Sequence, residues 1–228
     1  MTRFKSISII LIISTIITLI NNIEIQATSN VDIFNKIISL TNSNIEKVCV
    51  ETIYSLEEEF DNYYEKINCQ LNFNSNNMSN YIDYKNNYIE FKIDNIKGIL
   101  ENIDYNKRLI KLTLIEDSKE NTINNLKKLT ENILGKNYIN QYSYIKTKLL
   151  DKNIKNLNNE IKKYLKDYKA ENFNTIKLDN GYSTVCNTKL YKSKTIGDTC
   201  YDFQFAVMKY NSGNYLIMGT PEITLAFW

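Results

Sequence analysis

The residue types that this chain lacks limit the chemistry it could perform. Its 228 residues include no histidine, which excludes catalytic sites built on Ser-His-Asp or Cys-His groups. Zinc sites that use histidine are excluded as well. The four cysteines, Cys49, Cys69, Cys186 and Cys200, lack the close Cys-x-x-Cys spacing that is typical of metal sites. The sequence therefore predicts no metal and no cofactor, and any catalysis would depend on carboxylates.

The most prominent carboxylates are the adjacent residues Glu57, Glu58 and Glu59. A two-carboxylate glycosidase holds its acid groups about 5–10 Å apart across a cleft, whereas neighbouring residues of a helix point in different directions. We expect these three to occupy the first turn of a helix, where the helix dipole favours negative charge. A carboxylate-dependent envelope hydrolase is therefore the alternative hypothesis, and a binding protein is the favoured one.

The first 27 residues have the layout of a secretory signal. Arg3 and Lys5 precede an apolar stretch of about 14 residues, 7–20, and Ile25-Gln26-Ala27 ends in a small residue that suits cleavage. A membrane-spanning helix needs about 20 apolar residues, so we favour a cleaved signal over an uncleaved membrane anchor. The pattern predicts a secreted or extracytoplasmic protein that meets the membrane only if the signal stays attached.

The charge of the remaining chain bears on its partners. Residues 28–228 carry 26 basic and 25 acidic side chains, a net charge of +1. A nucleic-acid-binding domain is expected to be strongly basic, with clustered Lys and Arg. We therefore expect no nucleic-acid partner, and favour a protein or polymer of the cell envelope.

An even number of cysteines in an exported protein permits disulfides. The nearest neighbours along the chain are Cys49 with Cys69 and Cys186 with Cys200, although three connectivities are possible for four cysteines. Cys49 and Cys186 also fall in apolar strand patterns, where buried thiols are common. The sequence is therefore compatible both with disulfides and with buried free thiols.

The same order of elements occurs twice along the chain. The first set is predicted as a helix at 31–40, a strand at 45–54, a helix capped by Ser55, and strands at 81–93, 96–103 and 108–116. The second set is predicted as a helix between Ser118 and Gly135, a strand at 138–149, a helix capped by Asp151, and strands at 175–190, 200–210 and 215–223. The offset of about 90–95 residues suggests duplication. We predict a signal peptide at 1–27, a first α+β repeat at 28–117 and a second at 118–228, forming one composite domain.

The last strands form a predicted β-hairpin. Residues 203–210 alternate large apolar side chains with other types, Asn211-Ser212-Gly213-Asn214 supplies a turn, and residues 215–218 return. Gly219 is expected to adopt a special backbone angle, and Pro221 cannot donate a ladder hydrogen bond. Strand pairing should therefore stop near Pro221.

This carboxyl end resembles that of the YwmB-like family, secreted proteins of Gram-positive spore formers. The matching residues are Ala206, Tyr210, Asn211, Ser212, Gly219, Thr220, Pro221, Ile223 and Thr224. The family tends to have Arg and an apolar residue where this chain has Lys209 and Glu222. The resemblance implies a fold like that of the TATA-box-binding protein, a curved antiparallel sheet with helices on one face. It implies no activity, because the family has no established biochemical role.

The exposed face of the closing hairpin is the predicted binding site. Its candidate contacts are Lys209, Tyr210, Asn211 and Tyr215, and the expected partner is an unidentified envelope protein or polymer. Fold kinship alone would also suggest binding of DNA on the sheet. That third hypothesis is the weakest, because an exported chain with almost no net charge suits it poorly.

Overall fold

The computed structural model describes residues 32–57, 59–74, 81–85, 88–104, 106–150 and 153–224. The chain divides into two compact units, residues 1–36 and 37–228, and the large sheet lies in the second. The predicted signal peptide, residues 1–27, lies outside the described residues.

Helices and strands alternate along the described chain. The helices are α1 (Ile33–Thr41), α2 (Phe60–Asn74), α3 (Ile123–Leu134) and α4 (Ile154–Asp167). The strands are β1 (Asn44–Ser55), β2 (Tyr81–Lys85), β3 (Tyr88–Ile93), β4 (Ile96–Asp104), β5 (Leu109–Asp117), β6 (Asn140–Leu149), β7 (Glu171–Leu178), β8 (Gly181–Asn187), β9 (Lys194–Ile196), β10 (Thr199–Tyr201), β11 (Phe203–Tyr210) and β12 (Gly213–Thr220). The predicted mixed α+β class is confirmed.

Ten of the strands form one antiparallel sheet in the order β2-β3-β4-β5-β1-β6-β12-β11-β8-β7. The small β9–β10 pair is separate. Because directly paired residues point to the same face of a sheet, the registers place Tyr54 of β1 and Thr184 of β8 on one face. The Tyr54 hydroxyl donates to the Gly135 carbonyl just after α3, and the Thr184 hydroxyl donates to Asn158 of α4. We call this side the helix-covered face and the other side the open face.

Apolar periodicity explains why α4 packs against the sheet. Leu157, Ile161 and Leu165 recur every four residues and are buried, while Lys155, Lys163 and Lys166 are exposed. The helix starts at Asn153, whose side-chain oxygen accepts from the backbone N–H groups of Lys155 and Asn156 at 3.0 and 3.1 Å. The buried stripe thereby faces strands β8 and β11.

The predicted helix starts are wrong by several residues. Ser55 is the last residue of β1, and α2 begins only at Phe60. Glu57 and Glu59 are exposed residues before the helix rather than part of its first turn, and Glu58 lies outside the described residues. Helix α3 begins after Thr122 instead of at Ser118. Serine suits loops as well as caps, so its presence alone did not locate the first turn.

Two predicted strands, at 81–93 and 175–190, are instead pairs of antiparallel strands, β2–β3 and β7–β8. Strands β7 and β8 are joined by Asp179-Asn180, and Leu178 pairs with Gly181. The predicted closing hairpin is confirmed as β11 and β12, with its turn at Asn211-Ser212. Strand pairing ends at Thr220, directly before Pro221 as expected.

Candidate functional site

A cleft of about 380 Å³ opens at the end of the sheet beside the closing hairpin. Three of the four predicted contact residues, Lys209, Tyr210 and Asn211, line it together. The remaining lining residues are Ile154, Lys177, Leu178, Asp179, Asn180, Gly181 and Tyr182. We call these ten residues the hairpin cleft.

Three elements meet to form the hairpin cleft. Lys177 pairs with Tyr182 across the β7–β8 hairpin, so both side chains lie on the same face of the sheet. The Lys209 N–H donates to the Asn180 carbonyl at 2.7 Å, which ties β11 to the turn of that hairpin. Gly181 permits this close approach, because a Cβ there would lie 2.2 Å from the Val207 carbonyl oxygen.

The hairpin cleft carries two unpaired cations. Lys177 and Lys209 are exposed, and neither has an ion-pair partner in the part of the chain that the structure describes. Asp179 is the acidic residue of the lining. The first turn of α4 contributes Ile154, and the amino end of a helix carries a partial positive charge. The cleft therefore offers excess positive charge beside the Tyr182 ring and aliphatic lining residues.

Tyr215, the fourth predicted contact, does not line the cleft. It is 5% exposed, on the open face of β12. Its ring packs edge-on against Tyr210 with 5.7 Å between ring centroids, and the Lys146 ammonium lies 4.5 Å from its centroid. Its hydroxyl donates to the Ser212 side chain at 3.1 Å. Tyr215 is therefore engaged within the open face, and the ring of Tyr210 lies on that same face beside it.

Sequence reasoning missed Lys177 and Tyr182, the β7–β8 contribution to the cleft. Both fell within the segment interpreted as one long strand. The run Asp179-Asn180-Gly181 is typical of a tight turn between paired strands. Given that turn, the pairing of Lys177 with Tyr182 follows directly.

The centre of the open face holds a second cluster of buried apolar and titratable side chains. Cys49, Tyr142 and Tyr144 form a buried apolar cluster, joined by the partly buried Ile53, Ile115 and Ile223. Residues 221–224 lie across this cluster, and we call them the C-terminal strap. The Ile223 N–H donates to the side-chain oxygen of Gln204 at 2.8 Å. Gly219 leaves room for the strap, since a Cβ there would lie 2.9 Å from both Ile223 and Tyr144.

The prediction that Gly219 adopts a special backbone angle is wrong. Gly219 has no positive φ, unlike Gly213 with φ of 132° at the start of β12. Its role is spatial, because the C-terminal strap passes directly over it.

Glu51 lies beneath the C-terminal strap and is 4% exposed. The Thr224 hydroxyl donates to its carboxylate at 3.2 Å and also contacts the Tyr144 hydroxyl. Burial raises the pKa of Glu51 above its ordinary value, and the Lys111 ammonium at 3.9 Å opposes that shift. Lys111 also pairs with Glu101 at 2.7 Å, so this charge is shared between two carboxylates.

Glu222 anchors the other end of the C-terminal strap. Its carboxylate pairs with the Lys194 ammonium and accepts from the Tyr201 hydroxyl at 2.7 Å. Although burial acts in the opposite direction, these hydrogen bonds hold the pKa of Glu222 below its usual value. The strap thus joins the open face to the β9–β10 arm.

The four cysteines are free thiols in four different environments. Cys49 is buried on the open face, and Cys186 on the helix-covered face. Cys69 is exposed on α2, and Cys200 is half-buried on β10. Burial raises the pKa of Cys49 well above its usual range and that of Cys186 to about 12. The proposed pairings stay predictions.

Within the described ranges, Cys, Asp and Glu side chains form no group of three or more that could hold a metal ion. No helix in that same part of the chain is long and apolar enough to cross a membrane. Comparison with known proteins finds neither a family model nor a curated relative that matches this chain. Evidence for function therefore comes from the geometry of the hairpin cleft and the open face.

Proposed function

We propose that this chain is an exported, non-catalytic binding module of the cell envelope, and that it binds its partner in the hairpin cleft. The observation on which the proposal rests is that Lys177 and Lys209, both exposed and unpaired, share one cleft and one face of the sheet with Tyr182. Unpaired cations beside aromatic rings are typical of recognition surfaces. Export is supported by the pattern of residues 1–27, and the partner is a protein or polymer of the envelope.

We also propose that residues 28–117 and 118–228 are two copies of one unit, in a fold like that of the TATA-box-binding protein and the YwmB-like family. The strand order supports this proposal. Reading outward from the central pair β1–β6, one side runs β5-β4-β3-β2 and the other β12-β11-β8-β7. In each half, the central strand is the first strand of that half along the chain. Its neighbour in the sheet is the last long strand of that half, and the remaining strands lie further out in the reverse of their chain order.

The alternative of a carboxylate-dependent hydrolase has less support from the geometry. Glu51, the most buried of the carboxylates on the open face, is engaged by Thr224 and Lys111 and covered by the C-terminal strap. The hairpin cleft and a second cleft beside α2 contain one carboxylate each, Asp179 and Glu57. A hydrolase of this type needs two carboxylates that converge on one bond.

Binding of DNA on the open face also has less support. Several of its lysines are engaged in ion pairs, including Lys97 with Glu90 at 2.9 Å and Lys111 with Glu101 at 2.7 Å. Phosphate binding requires cations that are available to the backbone of the nucleic acid. The C-terminal strap occupies the centre of the same face.

Co-sedimentation with isolated Gram-positive cell walls tests the proposed function. The full-length protein should pellet with the walls, and the variant with both K177Q and K209Q should bind about tenfold more weakly because two charge-assisted contacts are lost. K128Q, a change at an exposed lysine of α3, is the matched control and should bind normally. Protein that stays in the supernatant, or a double variant that binds like K128Q, would contradict the proposal.

A further inference from the structure

The chemistry of the hairpin cleft identifies a class of ligand. We infer that the cleft binds a sugar unit that carries a carboxylate or a phosphate, as part of an anionic glycan. This inference rests on the proposed function, because it takes the hairpin cleft as the binding site. It narrows the partner from an envelope protein or polymer to an acidic polysaccharide.

The aromatic and aliphatic lining suits a sugar ring. Tyr182 is half-buried, and the strand registers place it on the same face of the sheet as Lys177 and Lys209. The ring of Tyr210 lies on the open face against Tyr215, so Tyr182 is the aromatic platform of the cleft. Leu178 and Ile154 also line the cleft. An amphipathic ring of this kind provides contact area for the apolar face of a pyranose while its hydroxyl group can form hydrogen bonds.

The charges of the cleft suit an anionic substituent on that sugar. The Lys177 and Lys209 ammonium groups have no competing carboxylate partner among the described residues. An ammonium group binds carboxylate and phosphate oxygens through charge-assisted hydrogen bonds. Asp179, Asn180 and Asn211 add acceptors and amide groups that match sugar hydroxyls. A wholly apolar ligand would leave all of these groups unpaired.

The size of the cleft fits one or two sugar units better than a folded protein surface. Its volume is about 380 Å³, near the lower end of the roughly 300–1,000 Å³ found for pockets that bind small molecules. A protein partner would need a broader complementary surface, of about 800 Å² on each side. The cleft therefore favours a unit of a polymer chain.

Titration of the full-length protein with small probes, followed by heteronuclear NMR, tests the inference. The probes are glucuronate, glucose 6-phosphate, neutral glucose and inorganic phosphate. We expect both acidic sugars to shift the signals of residues 177–182 and 209–211, and to bind about tenfold more tightly than glucose or inorganic phosphate. The K177Q/K209Q variant should lose that preference, and K128Q should retain it.

The possible results separate this inference from the proposed function. Equal affinity for glucose and the acidic sugars would overturn the role of the lysines, and equal affinity for inorganic phosphate would overturn the role of the sugar ring. Suppose that pretreating the walls with protease abolishes binding and that the protein does not respond to acidic sugars. That result would refute the glycan ligand but agree with the proposed binding module. Binding to protease-treated walls that acidic oligosaccharides displace would support both the binding module and the glycan ligand.

Discussion

The hairpin cleft and the centre of the open face both contact strand β11, yet they differ in how their charged side chains are paired. In the cleft, Lys177 and Lys209 are exposed and unpaired. At the centre, Glu51 and Glu222 are covered or paired, and the C-terminal strap closes over the apolar cluster. The comparison indicates that the centre stabilises the fold, whereas the cleft is left available for a partner.

The carboxyl-terminal residues from 209 to 224 are divided between these two regions. Residues 209–211 lead into the cleft, whereas Gly219 and residues 221–224 form the strap and the space beneath it. A side chain that is fully engaged within the fold has little left to offer a ligand. Substitutions in the strap should therefore change stability, and substitutions in the cleft should change binding.

The largest expected effect on stability is that of Gly219→Ala. The new methyl group would lie 2.9 Å from Ile223 and Tyr144, and overpacking of this kind costs about 1–3 kcal/mol. Urea unfolding should show that loss, while wall binding of the folded variant should be unchanged.

A double-variant cycle with Ile223→Ala controls this prediction. Removing the Ile223 side chain opens space for the new methyl group, so the double variant should lose less stability than the sum of the two single changes. Strict additivity would show that the strap does not lie over Gly219.

Thiol reactivity is the second way to compare buried and accessible regions. In the reduced native protein at about pH 8, Cys69 and Cys200 should react at least about tenfold faster than Cys49 and Cys186, because burial raises the pKa values of the latter pair. A thiol-specific chromogenic reagent measures the two phases. Fast reaction of all four thiols would show that Cys49 and Cys186 are not buried. In a separate titration of the denatured, unreduced protein, fewer than four thiols would indicate a disulfide.

The smallest expected effect is that of Glu51→Gln. Burial raises the pKa of Glu51 in the folded state, so protonation favours folding and the stability contribution grows as the pH falls through the folded pKa. This contribution to the free energy of unfolding reaches its full value below the pKa that Glu51 has in the unfolded chain. The Gln variant lacks this dependence and should match or exceed the parent at neutral pH, by less than about 1 kcal/mol.

Urea unfolding between neutral and mildly acidic pH measures the difference, with Glu120→Gln at an exposed loop position as the control. A flatter profile for Glu51→Gln than for the control is expected. A clear loss of stability at neutral pH would show instead that the ionised carboxylate stabilises the strap.

Much of the fold could be predicted because strand and helix periodicities are local properties. The alternation in β1 and the four-residue repeat in α4 depend only on neighbouring residues. Helix starts were less predictable, since Asn153 rather than the expected Asp151 caps α4, and Asp151 lies outside the described residues. Both residue types are good caps, so local propensity could not choose between them.

The site was only partly predictable because it depends on contacts between distant residues. Lys209, Tyr210 and Asn211 were identified from the turn they flank, but Lys177 joins them only through the β7–β8 turn. Glu51 alternates along β1 with Lys47, Cys49 and Ile53, and this mixed pattern does not mark it as buried. Its burial depends on Thr224, 173 residues later, and no local pattern contains that information.

Hydrogen exchange of the full-length protein, free and bound to cell walls, shows whether the hairpin cleft is the binding site. Bound protein should gain protection at the hairpin cleft, in residues 177–182 and 209–211, while residues 142–144 and 219–224 keep the exchange rates of the free protein. Protection that appears at the C-terminal strap and leaves the cleft unchanged would contradict the account.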